Sequence, residues 1–276
     1  MYFEEFEVGQ RFEVGARTVT AEDLSAMALL SGDNHPLHTD PEYAKNTIFG
    51  APILHASFGG AVAAGMWAQL GLVRDSVIAA TSDRWEYHRP IYVGDTLRLR
   101  LTITRLRPSS RPDRGCVMRY NELLNQKAEL VQSGTSCALV TAQDATSRFP
   151  SRDVGTVAWA EMLGDALSDN DAFIAAASAW DGTIGINAGE HTVSIRLYRG
   201  RAIEVARRTP REPTFILHGS DIDWVEYLTD PDANFGRYIM KKRFNVSGNR
   251  YEYLRLTKAL ELLMETARRM SLGTGE

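Results

Sequence analysis

The chain has 276 residues, of which 44% are hydrophobic and 24% charged, and its formal net charge is −4. That length suits one large domain or two ordinary ones. The balance shows no basic excess of the kind that nucleic acid or an anionic membrane surface selects. Two cysteines, Cys116 and Cys137, cannot make a disulfide framework. They read as buried free thiols in a reducing compartment. The acidic start, Met1-Tyr2-Phe3-Glu4-Glu5-Phe6, lacks a signal-peptide core. No run approaches the length of a transmembrane helix, and Thr274-Gly275-Glu276 is not a peroxisomal address. A cytoplasmic protein is expected.

In chain order, residues 11–20 are expected to form a first strand. Residues 21–30 read as a helix with Thr20 as N-cap, and Gly32 sits just past its last apolar residue. Pro36 forces His35 into an extended conformation and blocks helical continuation. Asp33 and His38 are therefore expected on a stiff loop and not on a helix face. Asp40-Pro41 restarts a helix, with Asp40 as N-cap. A carboxylate beside an imidazole can hold a water and move its proton. Spacing alone leaves other readings open. Asp33 and Asp40 can be caps with His35 and His38 as surface residues, or His35, His38 and Asp40 can be metal ligands.

Residues 57–70 are apolar or small on nearly every face, so as a helix they are expected to be buried almost all round. Gly59, Gly60, Ala63, Ala64 and Gly65 let a sheet approach closely. Residues 96–104 alternate strictly, with Leu97, Leu99, Leu101 and Ile103 on one face. Further strands are expected at 83–88, 116–124 and 134–141, with an exposed loop over 107–115. Periodicity alone gives an α+β class.

Gly32-Asp33-Asn34-His35-Pro36-Leu37-His38, followed by Thr39-Asp40-Pro41-Glu42-Tyr43-Ala44, resembles the motif of the MaoC-like (R)-specific enoyl-CoA hydratases. The match continues through residues 49–55 and 89–97. The resemblance implies a hot dog fold, an antiparallel sheet around a buried helix, for residues 1–145. It implies that Asp33 and His38 form the catalytic dyad. The family often carries asparagine directly before the proline, where this chain has His35. It implies an oxyanion role for the backbone N–H of Ala56, where the family usually has glycine. Free N–H groups at a helix start favour developing negative charge. Substrate contacts are expected from Gly32, His55 and Ser57. The competing reading makes His55 a packed histidine and Ala56 a plain helix start. The resemblance further implies an acyl-CoA substrate, no metal, no other cofactor, and a homodimer.

Residues 141–153 are polar and contain Pro and Ser, so a linker is placed at 146–155. A new pattern starts at 156. Helices are expected at 158–167 and 171–180. Strands follow at 181–187, 191–199 and 202–207, turning at Ala188-Gly189 and Gly200-Arg201. Strands at 214–218 and 242–246 flank a helix opened by Ser220-Asp221-Ile222-Asp223. A final helix starts at Asn249 and carries a stripe of Tyr253, Leu256, Leu260, Leu263 and Ala267. The stripe reads either as core packing or as the wall of a lipid tunnel. His191 and His218 have no partner in sequence and read as structural. Residues 156–276 resemble the sterol-carrier-protein-like lipid-binding domain in element order, and this implies a lipid or fatty acyl ligand. Three functions stay open at this point. They are a lyase that hydrates a trans-2-enoyl-CoA or runs the reverse dehydration, an acyl-CoA thioesterase on the same fold, and a non-catalytic acyl or lipid carrier.

Overall fold

The computed structural model describes residues 1–143, 150–209 and 212–273. The chain divides into two compact units, Met1–Thr146 and Ser147–Glu276. The expected linker, 146–155, lies partly outside the described residues. Its end belongs to the second unit, because Val154 is buried in that unit's core.

The first unit is a five-stranded antiparallel sheet with four α-helices. Its strands are β1 (Arg11–Thr18), β2 (Val77–Tyr87), β3 (Thr96–Pro108), β4 (Arg114–Leu124) and β5 (Leu130–Thr141). Their order is β1-β3-β4-β5-β2. The helices are α1 (Ala21–Ser31), α2 (Pro36–Thr39), α3 (Pro41–Lys45) and α4 (Ala56–Gln69). In β3 Leu97, Leu99, Leu101 and Ile103 are all buried, but the alternation holds only as far as Leu101, because Thr102, expected on the other face, is buried too. The strand then runs past residue 104, and a bulge between Ile103 and Arg105 puts Thr104 and Arg105 inside as well. The loop expected over 107–115 shrinks to residues 109–113.

Helix α4 lies against β1 and β4, which is the hot dog arrangement. It buries Phe58, Gly59, Val62, Ala63, Met66 and Trp67, one stripe at helical spacing. Burial all round is not what the structure has. Ala61, Ala64, Gly65 and Ala68 are exposed. Their side chains are too small to hold a neighbouring element by area alone. The close approach is real on the packed side. A Cβ on Gly59 would lie 2.0 Å from Gln132 Oε1, and one on Gly60 would lie 2.9 Å from Trp85 Nε1. The core also carries a charge. Arg119 stacks its guanidinium 4.2 Å from the Trp67 ring centre and donates to Ser136 Oγ at 2.7 Å. Burial pushes its pKa down to about 10, so it remains a cation at neutral pH. Of the two thiols, Cys137 is buried and Cys116 half-buried.

The second unit packs helices on a mixed sheet. Its strands are β6 (Asp181–Ala188), β7 (His191–Tyr198), β8 (Arg201–Ala206), β9 (Phe215–Gly219) and β10 (Asn245–Gly248). They lie in the order β10-β9-β6-β7-β8, antiparallel except for the parallel pair β6 and β9. Helices α5 (Val157–Ser168), α6 (Asp171–Ala176), α7 (Asp221–Thr229), α8 (Phe235–Met240), α9 (Arg250–Arg255) and α10 (Thr257–Leu272) complete it. Ser220 and Asp223 cap α7 reciprocally, as their spacing predicts. The β6–β7 turn lies one residue later than expected, at Gly189-Glu190. Arg199 and Gly200, both at positive φ, make the β7–β8 turn. The single final helix expected from Asn249 is broken at Leu256 into α9 and α10. Leu256, Leu260, Leu263 and Ala267 pack into a closed core with Trp159, Phe173, Phe215 and Trp224.

Candidate active site

Thr20 opens α1 by accepting from the Asp23 N–H, and Asp23 returns a bond to the Thr20 N–H. Gly32 ends the helix at φ 74, a left-handed position that glycine takes without strain. Its N–H goes to the Ala28 carbonyl at 3.0 Å. The chain then turns sharply through Asp33, whose Oδ1 accepts the His35 N–H at 3.2 Å. His35 caps α2 through Nδ1, which accepts the Leu37 N–H at 3.1 Å. Asp40 caps α3 by accepting from Glu42 N and Tyr43 N at 2.9 and 3.1 Å. Pro36 and Pro41 each take the first helical position. His38 therefore sits on a four-residue helical turn. The loop expected there is helical because Pro36, which cannot continue a helix, is well suited to start one.

His35 and Asp40 are committed to caps. Three other groups converge. His38 Nε2 lies 3.8 Å from Asp33 Oδ2, and His55 Nε2 lies 4.0 Å from the same oxygen. His38 Nδ1 donates to the Ile53 carbonyl at 2.7 Å. A carbonyl only accepts, so Nδ1 carries a proton, and in the neutral ring Nε2 presents its lone pair toward Asp33. His55 Nε2 donates to the Asp33 carbonyl at 2.8 Å. The two imidazoles stack, with ring centres 3.9 Å apart and planes at 22°. Asp33 is half exposed, His38 mostly covered, and His55 buried. Candidate metal-ligating atoms of Asp33, His38 and His55 all lie within 4.8 Å of one another. A cation there would have to displace the His55 bond to the Asp33 carbonyl.

Helix α4 starts beside this cluster. His55 is its N-cap residue but makes no side-chain cap bond. Ala56 and Ser57 are exposed in its first turn. Gln132 on β5 donates to the Ala56 carbonyl at 2.9 Å and so fixes the start of the helix. The sequence reading missed Gln132. Its one signal is an amide inside an otherwise apolar strand start, Leu130-Val131-Gln132. The described site thus gathers Asp33, His38, His55, Ala56 and Ser57. Gly32 serves the turn that aims Asp33.

A MaoC-like domain is matched over residues 5–125. An (R)-specific enoyl-CoA hydratase of Aeromonas caviae is 33% identical over 39% of this chain and 78% of its own length. The chain belongs to the MaoC-like dehydratase family. The MaoC protein of Klebsiella aerogenes is 35% identical over 38% of this chain, a match that spans 31% of that protein. Among solved structures, a monoamine oxidase regulatory protein from Archaeoglobus is 35% identical with a TM-score of 0.50. The alignment covers 52% of this chain and 95% of that one. These MaoC-like matches fall on the first unit, where Asp33, His38 and Ala56 lie.

Proposed function

We propose that the first unit adds water to a trans-2-enoyl-CoA to give a (R)-3-hydroxyacyl-CoA, or runs the reverse dehydration. The observation that carries this reading is the 3.8 Å gap between Asp33 Oδ2 and His38 Nε2, with His38 held in the Nδ1–H tautomer. One water can donate a hydrogen bond to each acceptor, which leaves an oxygen lone pair aimed away from both. That oxygen adds to C3 of the enoyl group as the Asp33 carboxylate takes a proton. Charge moves to the thioester oxygen, which faces the Ala56 N–H at the positive end of α4. The Asp33–His38 pair then returns a proton to C2. The overall change is substrate plus water, so the scheme calls for no metal and no further cofactor, and CoA is part of the substrate. Thioester hydrolysis, the alternative, attacks the carbonyl carbon and would release a thiol.

The pair is expected to act as one unit. Asp33→Asn, nearly isosteric, should lower kcat with crotonyl-CoA by about 100-fold or more. His38→Ala should do the same, and the double variant should lose little more. Near-parental turnover by folded Asp33→Asn would exclude the scheme, and free-thiol release by the parent would favour hydrolysis. Ala56 occupies the first helical position, which accepts proline, and His55 before it is already extended at ψ 142. Ala56→Pro should therefore fold yet lose about 100–1,000-fold in kcat, because the donor is gone. Ala56→Gly should keep activity. Equal activity in the two would show that this amide stabilises no charge.

A homodimer is proposed for the first unit. Leu29, Leu30, Ile48, Val77 and Ile78 stand exposed, and β2 is an outermost strand exposed over residues 77–84. Light scattering behind size exclusion should give twice the mass of one chain; a single-chain mass at micromolar concentration would refute it. For the second unit a sterol-carrier-like, acyl-binding role is proposed. The element order and the sheet order, with a parallel pair at its centre, support it. The full-length protein is expected to raise the anisotropy of a fluorescent fatty acyl probe with Asp33→Asn in place. No rise would leave the unit as a packed module.

A further inference from the structure

We infer that His55 is a positioning residue for the Asp33–His38 pair and that it holds this post instead of capping α4. The inference rests on the hydratase reading above. Its basis is a contrast between two histidines in the same backbone setting. His35 and His55 are both N-cap residues, at φ −56, ψ 137 and φ −57, ψ 142. His35 turns its Nδ1 onto the N–H two residues ahead, that of Leu37. His55 does not turn onto the N–H of Ser57. Its ring swings away, donates through Nε2 to the Asp33 carbonyl at 2.8 Å, and lies flat on His38 at 3.9 Å.

This orientation leaves His55 Nδ1 buried without a hydrogen-bond partner. Buried polar atoms are rarely left so, and each such case calls for an explanation. The carbonyl partner fixes a proton on Nε2, and Nδ1 is left with no group to pair with. Both nitrogens are thereby closed to substrate. Nε2 is engaged, Nδ1 is buried, one ring face is covered by His38, and the residue is only 4% exposed. His55 touches the pair and not the reacting atoms.

Two consequences follow from one ring. The bond to the Asp33 carbonyl fixes the backbone that carries the carboxylate, and the stack fixes the plane of the imidazole opposite. The amides of the α4 first turn also stay free of a side-chain cap. A His55 ring placed like that of His35 would cover the Ser57 N–H and release Asp33 and His38 together. Small displacements of reacting groups are costly: about 1 Å is enough to lose about 100-fold.

The test uses two variants of the full-length protein. His55→Phe keeps a flat ring for the stack and removes the donor. His55→Asn removes the stack and supplies a good helix cap. Each is expected to lower kcat with crotonyl-CoA by about 10–100-fold and to leave KM within about twofold. Combined with His38→Ala, each should add no more than about a further twofold loss, since His55 acts through the pair. A second readout needs no turnover. Long-range nitrogen–proton spectra of the imidazoles should show His38 as the Nδ1–H tautomer in the parent and a mixture of tautomers in both variants. A parent that lacks hydratase activity would sink the hydratase reading, while these spectra would still decide the positioning role. A raised KM at unchanged kcat, a multiplicative loss with His38→Ala, or unchanged His38 spectra in both variants would overturn the inference. Loss of the folded state in both variants would also overturn it and make His55 a structural residue.

Discussion

Two hydrogen bonds to backbone carbonyls hold the site together, and they run in opposite directions. His38, on the turn after α1, donates to the Ile53 carbonyl beside α4. His55, at the start of α4, donates to the Asp33 carbonyl in the turn. Each segment thus supplies one imidazole donor and one carbonyl acceptor to the other. The rings that make the bonds then lie against each other. A single bond would leave the turn free to pivot about it. A reciprocal pair with a stack between leaves no such axis, so the carboxylate of Asp33 keeps its place although it is half exposed. A typical hydrogen bond contributes only about 1 kcal/mol net. Their value lies in geometry more than in stability.

That brace works only if α4 starts at the right height above the sheet. The height is set by missing side chains. Gly59 leaves room for Gln132, and Gln132 in turn reaches the Ala56 carbonyl. Gly60 makes the same allowance for Trp85. Glycine within a helix costs about 1 kcal/mol relative to alanine. Packing of Phe58, Val62, Met66 and Trp67 offsets that cost. The far face of α4 is lined by Ala61, Ala64, Gly65 and Ala68, which bury little area by themselves. A helix with such a face gains stability there only where another backbone comes close.

The local signals in the sequence were reliable because their physics is local. The Thr20 and Asp23 capping pair, the Pro-led starts of α2 and α3, and the alternation of β3 up to Leu101 depend on a few neighbouring residues. The boundaries of β2 were not legible. Val77, Ile78, Ala79, Ala80 and Thr81 show no alternation, since this part of the outermost strand is exposed on both faces. Periodicity records burial, and here there is none to record. The break at Leu256 was hidden for the opposite reason. The apolar stripe runs through it into one core, so the pattern cannot mark a change of axis. Asp33 and His38 were readable as a pair, but the role of His55 was not. Its partners stand 22 and 17 residues away, and its ring could as well have capped α4.

The second unit poses a different physical problem. A sheet of that order with a long final helix suits a carrier, yet the stripe of α10 now fills a core. Leu260, Leu263, Met264 and Ala267 are each at most 1% exposed. An acyl chain gains about 0.8 kcal/mol per buried methylene, but only if it replaces water and not protein. A ligand in this unit would therefore have to enter where packing is thinnest. Helices α8 and α9 have six residues each, below the length at which a helix holds itself. They leave Met240, Tyr251 and Leu254 mostly exposed. The break at Leu256 separates α9 from the well-packed α10, but Tyr253 against Phe215 and Glu252 accepting from Trp180 Nε1 tie the inner face of α9 to the core, so a shift of α9 would have to break these contacts. An acyl-binding role thus requires room made beside α8 and α9, because the interior behind α10 is already occupied by the protein's own side chains.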